Sequence, residues 1–547
     1  MSAGLAGLAG LAGTLRLARL AARRDRVTLP VWVLGLTAFL AATTAMFVRS
    51  LPTYADRVRE AELPTDNAGL RMLGLTSGPT VGGAVMVRDY VLLGTLAALM
   101  CILTVVRHTR QGEELGRAEV VGSTVVGRYA DLAAAVLVAV AADVVLAVLL
   151  GLAMVANGQP AAGAFTAGAG VASVGIVFAG VAAVTVQLAS TTRGAIGTAG
   201  AVLALAFLLS GVGNMLGTPD TRAMRVTSAW PAWLSPIGWA QQLRPFGGDH
   251  VRPLGLSVAL VVALLGAAGA LVARRDVGAG LWPPRHGHAH AAAGMLSTSG
   301  LVLRLQRGAL LAWVAGLLAF GLIFGSMTEQ IRDVRGQALE YYERIGGAGR
   351  LIESYYASIA QMGAMIVAIY VVQVLLRMRA EEAGGTLESL LACGVSRSRW
   401  VGAHVANAVG GTVVLNLAFS VGLGLGAGAV IGDARTQVGQ AVAAGVVQLP
   451  AILLVGACAL LVVAVLPRAA SPVAWGVVIA ALVLGPMFGP ALGLSPAVLD
   501  LSPFTHVPTV PATGLTVAPL VVLTGACLAL GVLAVLALRR RDLHLPA

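Results

Sequence analysis

Apolar residues run in long stretches along this chain, and short polar stretches separate them. An apolar run of ~17–25 residues crosses a lipid bilayer as a single helix. The first half holds six such runs, at residues 29–48, 90–106, 131–155, 165–189, 195–215 and 253–273. The second half holds six more, at residues 308–326, 359–376, 401–429, 437–466, 472–494 and 514–538. The pattern predicts an all-α integral membrane protein with twelve transmembrane helices.

The composition agrees with that fold class. Hydrophobic residues make up 57% of the chain and charged residues only 11%, whereas soluble domains carry ~25% charged residues. The four cysteines lie far apart and form no C-x-x-C pair, so neither a disulfide framework nor a zinc site is predicted. All 37 basic residues are arginine, which indicates a bacterial chain from a GC-rich genome.

The arginines are unevenly distributed between the two sides of the predicted membrane. The excess of arginine over acidic residues falls on the side that holds the N-terminus, the middle linker and the C-terminus. Because cytoplasmic loops carry this excess, the distribution predicts a multi-pass protein of the bacterial inner membrane with both termini cytoplasmic.

The N-terminal segment, residues 3–26, alternates leucine with arginine. This pattern predicts a basic amphipathic helix on an anionic leaflet, and a disordered basic tail is the alternative. The apolar LAG repeats precede the arginines, so a cleavable signal peptide is not expected.

Three landmarks occur in the same order in both halves and indicate a tandem duplication. LPVWVLGLTAF at 29–39 matches LLAWVAGLLAF at 310–320, Leu-Ser-Pro at 234–236 recurs at 501–503, and a charged segment recurs between them. Six crossings per half give both halves the same orientation, which predicts two parallel six-helix repeats. The predicted domains are residues 1–273 (the N-terminal helix and first bundle), 274–297 (a cytoplasmic linker) and 298–547 (the second bundle).

The linker contains three histidines, at positions 286, 288 and 290. Structural zinc sites need four ligands, and no cysteine or carboxylate lies close enough in sequence to complete one. No metal site is predicted.

The repeated charged segments are the main candidate functional elements. They span residues 110–128 and 379–397, on the cytoplasmic side after crossings two and eight. A segment that only sets topology explains the arginines, but it does not explain glutamates at identical offsets, because acidic residues contribute little to topology. The candidate residues are Arg110, Glu113, Glu114, Gly116, Glu119, Arg128, Arg379, Glu381, Glu382, Gly385, Glu388 and Arg397.

Each segment is predicted to form a short amphipathic helix with a bend at Gly116 or Gly385. Glu113 and Arg117 have the i,i+4 spacing that supports a helix. Two copies, one per half, indicate docking onto a two-fold partner through Glu113, Glu119, Glu382 and Glu388.

Few polar residues lie within the predicted crossings. Asp143 is a functional candidate because carboxylates are rare inside membranes, but position 412, its counterpart in the second half, is Thr, which favours a structural role. Gln187, Gln373, Asn407 and Asn416 are further candidates for a substrate path, with interhelical hydrogen bonding as the alternative. The glycine-rich run 422–432 predicts close helix packing.

The sequence carries no catalytic motif, and it excludes a phosphate-binding loop. That loop needs a lysine to reach the outer phosphates, and this chain has no lysine. If ATP drives the protein, the ATP and its Mg²⁺ must bind a separate subunit.

The quoted motifs resemble the membrane subunits of ATP-binding-cassette (ABC) exporters, in particular duplicated twelve-helix permeases of the tetronasin and polyketide-antibiotic type. The resemblance covers the whole chain and is carried by LPVWVLGL, EELGRAE, EEAGGTLESLLACGVSRSRW, LSPIGW and LSPFTH. It implies that residues 110–128 and 379–397 are coupling helices seated in grooves of two copies of an ATP-binding subunit.

The predicted function is therefore that of a permease subunit, not an enzyme, which exports a hydrophobic or amphipathic antibiotic-like molecule. No nucleic-acid partner is expected. The alternative is a proton-coupled twelve-helix secondary exporter that uses Asp143 as a relay. A membrane enzyme that processes a lipid or polymer is a third reading, for which no catalytic constellation is present.

Overall fold

The computed structural model describes residues 10–66, 68–220, 224–276, 278–282, 290, 292–333, 350–486 and 495–541. Its contacts divide the chain into two compact units, Met1–Gly287 and His288–Ala547. Helices dominate both units, in agreement with an all-α membrane protein. One departure is a short antiparallel ribbon in the first unit, in which Pro219 pairs with Val226. The ribbon provides hydrogen-bond partners for backbone N–H and C=O groups in the connection between the long helices Thr192–Met215 and Leu254–Arg274.

The first unit contains twelve described helices and the ribbon. The helices are α1 Thr14–Arg24, α2 Thr28–Ser50, α3 Tyr54–Asp66, α4 Ala68–Leu73, α5 Val81–His108, α6 Arg110–Glu114, α7 Arg117–Gly122, α8 Ala130–Ala156, α9 Ala161–Leu188, α10 Thr192–Met215, α11 Pro236–Gln242 and α12 Leu254–Arg274. The strands are β1 Thr218–Asp220 and β2 Arg225–Thr227, and a 3₁₀ turn covers Trp230–Leu234.

The described part of the second unit contains nine α-helices. They are α13 Thr298–Ser326, α14 Leu351–Ala383, α15 Thr386–Ala392, α16 Arg397–Ile431, α17 Ala434–Val446, α18 Leu449–Val465, α19 Ala470–Val483, α20 Pro496–Leu499 and α21 Val517–Arg540. Three 3₁₀ turns cover Ala293–Leu296, Thr328–Asp333 and Pro503–His506.

Eleven helical stretches in the described residues are long and apolar enough to cross a membrane, and each coincides with a predicted crossing. The predicted crossing at 472–494 is different. Its described helix, α19, has 14 residues, which is ~21 Å and less than the ~30 Å of a hydrocarbon core. The helix ends before Gly485-Pro486, because a proline disfavours helical backbone at the residue before it, and residues 487–494 lie outside the described residues.

The second crossing begins earlier than predicted, at Val81 instead of residue 90. The Thr80 side chain caps this helix by accepting a hydrogen bond from the Gly83 backbone N–H, which satisfies one of the orphan donors of its first turn. The extension brings Arg88 and Asp89 into the helix, where Asp89 is buried. The helix start was predicted after the two charges at Arg88 and Asp89, but the cap at Thr80 lets the helix begin before them.

Helix α9 forms the centre of the first unit and packs against α5, α8 and α12. A Cβ at Gly168 would lie 2.3 Å from the Ala147 carbonyl oxygen, so the backbones of α9 and α8 touch there. Small residues permit this approach without a hydrophobic driving force between the helices.

The predicted N-terminal amphipathic helix is present as α1, while residues 3–9 lie outside the described residues. Its Ala18 and Ala21 pack against Ala134 and Val138 of α8. Just before α1, the chain pairs with the loop that follows α7, where the Gly127 N–H donates to the Ala12 carbonyl at 2.9 Å. The N-terminal helix is thus attached to the first charged segment.

Close packing of α13 against α16 dominates the second unit, as the glycine run predicted. A Cβ at Gly426 would lie 2.2 Å from the Leu322 carbonyl oxygen, and one at Gly422 would lie 2.4 Å from that of Leu318. From the opposite helix, Gly321 and Gly325 approach α16 equally closely.

Two predicted polar regions are only partly described. The linker histidines at 286 and 288 and half of the outer loop at 327–358, residues 334–349, lie outside the described residues. In the other predicted outer loop, residues 49–89, the chain forms α3 and α4.

Candidate functional site

Both charged segments contain the predicted bend, and each bend is at the predicted glycine. Gly116 has a φ of 70° between α6 and α7, and Gly385 has a φ of 74° between α14 and α15. Positive φ carries a steric cost for residues with a Cβ, which glycine avoids. Glycine at these two positions therefore lets each segment turn sharply away from its long helix.

The first segment is held by a buried arginine–glutamate group, which we name the first cluster: Arg110, Glu113 and Arg275. Arg110 Nη1 lies 2.7 Å from Glu113 Oε2. Arg275 approaches the same carboxylate with both terminal nitrogens, Nη2 at 2.5 Å from Oε1 and Nη1 at 2.8 Å from Oε2. Arg110 Nη2 also donates to the Val186 carbonyl at 2.8 Å. The cluster joins α6, the residue after α12 and the end of α9.

The second segment has an equivalent group, the second cluster: Arg379, Glu382 and Arg541. Arg541 Nη2 lies 2.6 and 2.7 Å from the two oxygens of Glu382, and Arg379 Nη1 lies 3.5 Å from Oε2. Arg541 Nη1 donates to the Val463 carbonyl at 2.9 Å. This cluster joins the end of α14, the residue after α21 and the end of α18.

The two clusters use the same chemistry at matching places in the two halves. Each glutamate is nearly fully buried and is bound by an arginine that follows the last long helix of its unit. In both, an arginine also binds a carbonyl in the last turn of another long helix, where carbonyls lack intrahelical partners and a cation is favoured. Each cluster therefore connects a charged segment to two membrane helices.

The arginines at the C-terminal ends of the segments bind residues of the same two clusters. Arg128 Nη2 donates to the Arg275 carbonyl at 3.1 Å, and Arg397 Nη1 donates to the Arg541 carbonyl at 2.9 Å. Each charged segment therefore contacts the residue that follows the last long helix twice, through its buried glutamate and through its final arginine.

One prediction about the first segment is wrong. Arg117 is not the partner of Glu113, which instead binds Arg110 and Arg275. The i,i+4 rule holds only within a continuous helix, and the left-handed Gly116 turns the chain between positions 113 and 117.

Sequence reasoning missed Arg275 and Arg541. Both stand in an Arg-Arg-Asp triplet directly after the last crossing of their half, at residues 274–276 and 540–542. This fourth repeated landmark was visible in the sequence. Its pairing with the charged segments was not, because more than 150 residues separate the partners in each half.

The four glutamates predicted to contact a partner fall into two classes. Glu113 and Glu382 are buried inside the clusters. Glu119 and Glu388 are exposed, each in the first turn of the short helix after the bend. Contact with a partner stays a prediction for all four, but only Glu119 and Glu388 present their carboxylates at the surface.

The remaining two glutamates bind helices of their own unit. Glu114 accepts a hydrogen bond from the Thr192 N–H at 2.7 Å and another from its hydroxyl, at the N-terminus of α10, where a carboxylate is favourable. Glu381 accepts from Trp400 Nε1 at 3.1 Å and lies 3.0 Å from His404 Nε2, both in α16.

Asp143 lies fully buried in α8, against α9. A Cβ at Gly175 would be only 2.3 Å from its Oδ2, and neither carboxylate oxygen accepts a well-formed hydrogen bond from a described residue. Glycine at 175 therefore provides the space that this carboxyl group occupies. Thr412, at the aligned position of the second half, is buried as well.

The other substrate-path candidates do not converge on one site in the described structure. Three of them join helices of the second unit: Gln373 accepts from Trp313 at 3.2 Å, Asn407 donates to Gln306 at 2.7 Å, and Asn416 donates to the Gly445 carbonyl at 2.9 Å. Gln187 is buried near the first cluster and lines a cavity there. The first three thus make the interhelical hydrogen bonds that were the alternative reading.

The repeated Leu-Ser-Pro motifs also make matching contacts. The hydroxyl of Ser235 donates to the Ala206 carbonyl of α10 at 2.6 Å, and that of Ser502 donates to the Ala481 carbonyl of α19 at 2.8 Å. Both serines are fully buried. The short helix α19 therefore takes the place in its unit that the full-length α10 takes in the other.

This chain is similar to known permeases. The family model for the multidrug efflux system permease Rv1217c, C-terminal domain, matches residues 295–539. Over 533 residues the chain is 38% identical to the multidrug efflux system permease protein Rv1217c of Mycobacterium tuberculosis (strain ATCC 25618 / H37Rv), an alignment that covers 96% of this chain and 94% of that protein. Both charged segments and both clusters lie in a chain that matches this relative over nearly its whole length. The chain belongs to the family of the multidrug efflux system permease Rv1217c.

Proposed function

We propose that this chain is the membrane permease subunit of an ATP-driven exporter, energised by two copies of a separate ATP-binding subunit. The observation that carries the proposal is the pair of charged segments, each bent at a left-handed glycine and fixed by an equivalent buried cluster. A two-fold ATPase needs two such contact points on a single-chain permease.

The proposed arrangement has twelve crossings in two parallel six-helix bundles, with both termini in the cytoplasm of a bacterium. The short helices α7 and α15 then face the ATPase subunits, which bind ATP and Mg²⁺. Their exposed side chains include Glu119 and Val120 in α7 and Glu388 in α15. We further propose that the chain is an exporter of the tetronasin and polyketide-antibiotic type.

The clusters connect α7 and α15 to long helices that cross the membrane. When the ATPase subunits close, they displace α7 and α15. The Glu113–Arg275 and Glu382–Arg541 pairs pass this displacement to the ends of α12 and α21, and the bonds to the Val186 and Val463 carbonyls pass it to α9 and α18. Each half then moves as a body, because the buried ion pairs are costly to break.

The proposed cargo is a hydrophobic or amphipathic drug-like molecule. The relative Rv1217c is named as a multidrug efflux permease, and the described crossings offer few charged groups that would bind an ion or a sugar. Export would move such a molecule out of the cell from the inner leaflet.

Reconstitution with the ATP-binding subunit tests the energy source. Proteoliposomes that contain both chains should transport a fluorescent drug on addition of ATP and Mg²⁺, with an ionophore present to collapse any proton gradient. Transport that follows an imposed pH gradient and ignores ATP would refute the proposal. That result would favour a proton-coupled secondary exporter, for which the buried Asp143 is the supporting observation.

A further inference from the structure

The first unit contains a cavity of about 380 Å³ beside the first cluster. The N-terminal helix α1 forms one wall, and the start of α8 and the bend between α6 and α7 form the others. Glu113 and Arg275 of the cluster lie at its edge. The cavity thus lies where the amphipathic helix meets the first charged segment.

Two hydrogen-bond acceptors face this cavity. Gln187 is 2% exposed, and its Nε2 donates to the Ala183 carbonyl, but its Oε1 has no partner among the described residues. A buried acceptor without a donor destabilises the folded chain. Asp131 also lines the cavity. A ligand that donates a hydrogen bond would satisfy Gln187 and gain a second acceptor from Asp131.

Two cations lie at the mouth of the same cavity. Arg24 of α1 and Arg117 of α7 line it and are exposed, and neither has an ion pair or hydrogen bond within the described ranges. Glu113 cannot neutralise them, because Arg110 and Arg275 already bind its carboxylate. The mouth therefore attracts an anionic group, and two arginines suit a phosphate.

The remaining wall is apolar. Leu17 and Leu20 of α1, Val121 of α7 and Leu132 of α8 line it. Leucines interleaved with arginines along α1 are typical of a helix that lies at the membrane–water boundary. The cavity therefore combines an apolar wall, an anion-binding mouth and internal hydrogen-bond acceptors.

We propose that this cavity binds one phospholipid whose headgroup carries a hydrogen-bond donor. Arg24 and Arg117 hold the phosphate, and the headgroup hydroxyl or ammonium donates to Gln187 and Asp131. The acyl chains leave along the leucines of α1. Phosphatidylglycerol and phosphatidylethanolamine meet this requirement, whereas phosphatidylcholine offers no donor. The site depends on neither ATP nor a transported drug, so it stands apart from the proposed function.

Lipid titration of the full-length chain in detergent, read by native mass spectrometry, tests this site. The probes are short-chain phosphatidylglycerol, phosphatidylethanolamine and phosphatidylcholine, with glycerol phosphate as the lipid-free arm. We expect one molecule of either of the first two lipids to bind ~10-fold more tightly than phosphatidylcholine, because only their headgroups can donate a hydrogen bond to Gln187 and Asp131. Equal binding of all three lipids would overturn the proposal, and glycerol phosphate that binds as tightly as the lipids would make the ligand a soluble phosphate ester.

Variants locate the site. Arg24→Gln with Arg117→Gln should weaken binding of both favoured lipids at least ~10-fold. The control is Arg19→Gln with Arg23→Gln, which removes two exposed charges of the same helix that do not line the cavity. Equal loss in the two double variants would mean that only general charge attraction operates. Gln187→Met, similar in length but without the acceptor, should reduce the preference over phosphatidylcholine while the chain keeps its Tm.

Discussion

At the scale of single residues, the buried carboxylates of Glu113 and Glu382 define the candidate site. Each is bound by two arginines inside its own unit. Buried ion pairs add little net stability compared with apolar residues, but removing one partner strands a charge at a cost of ~3–5 kcal/mol. These glutamates therefore fix the charged segments in place.

Arg275→Gln is expected to lower the unfolding free energy of the chain by about 3 kcal/mol, because the buried carboxylate of Glu113 loses one of its two arginine partners. The matched control is Arg274→Gln, which alters the exposed neighbour. Thermal unfolding in detergent measures both. Arg541→Gln and its control Arg540→Gln repeat the comparison in the second unit, and equal Tm values within each pair would contradict the role assigned to the clusters.

Asp143→Asn tests whether the buried carboxyl group is structural. Asparagine keeps the size that fits against Gly175, and it removes a group that is costly to ionise in a membrane. We expect normal folding and substantial ATP-dependent transport in proteoliposomes. Complete loss of transport in a well-folded variant that still assembles with its ATPase would instead support a proton relay.

At the scale of elements, the bends at Gly116 and Gly385 divide each charged segment into an anchored part and a presented part. The anchored parts carry Glu113 and Glu382. The presented parts, α7 and α15, carry Glu119 and Glu388 at equivalent first-turn positions. A partner that binds both halves would contact the presented parts.

Glu119→Arg together with Glu388→Arg should reduce copurification of the ATPase subunit, because reversal of a rim charge weakens association. The Tm of the permease should stay unchanged, since both side chains are exposed. The control is Glu62→Arg with Glu329→Arg, two exposed glutamates on the predicted outer side. If the Glu119→Arg, Glu388→Arg variant keeps an intact complex and normal substrate-stimulated ATP hydrolysis, the prediction is contradicted. The charged segments would then only set the membrane topology.

Gly426→Ala tests the contact between α13 and α16. The added Cβ would meet the Leu322 carbonyl oxygen at 2.2 Å, so the helices must separate, at a cost of ~1–3 kcal/mol. Gly410→Ala in the same helix has nothing within 4 Å of its Cβ and should leave the Tm unchanged. The tight-packing interpretation fails if the two variants unfold at the same temperature.

At the scale of the whole molecule, the distribution of arginine predicts how the chain lies in the membrane. The N-terminal segment, the linker and the C-terminus share the arginine-rich side, which the positive-inside rule assigns to the cytoplasm. Both charged segments fall on that same side.

A topology reporter checks this orientation. An enzyme that is active only outside the cytoplasm, fused after residue 285, should show no activity, because the linker is predicted to be cytoplasmic. Fusion within the outer loop, after residue 53, should be active and serves as the positive control. Strong activity at residue 285 would reverse the topology and place the charged segments away from any cytoplasmic ATPase.

Much of this protein was determined by local pattern in the sequence. Apolar runs identified eleven helices that are long and apolar enough to cross a membrane. Three of them begin well before the predicted start, at Val81, Thr298 and Leu351. Glycine in a polar segment identified both bends, and small-residue spacing identified the packing of α16. Each of these features depends on residues that are close in sequence, where backbone sterics and hydrophobic transfer act directly.

Tertiary structure alone decided which charges meet. Arg275 reaches Glu113 and Arg541 reaches Glu382 across more than 150 residues, whereas the local rule had paired Glu113 with Arg117. It also decided that Glu113 is buried while Glu119 is exposed, although the two look alike in the segment. Burial and ion pairing depend on which helix ends lie beside one another in space. The hydropathy pattern along the chain gives only the face of each helix and does not specify which helices are neighbours.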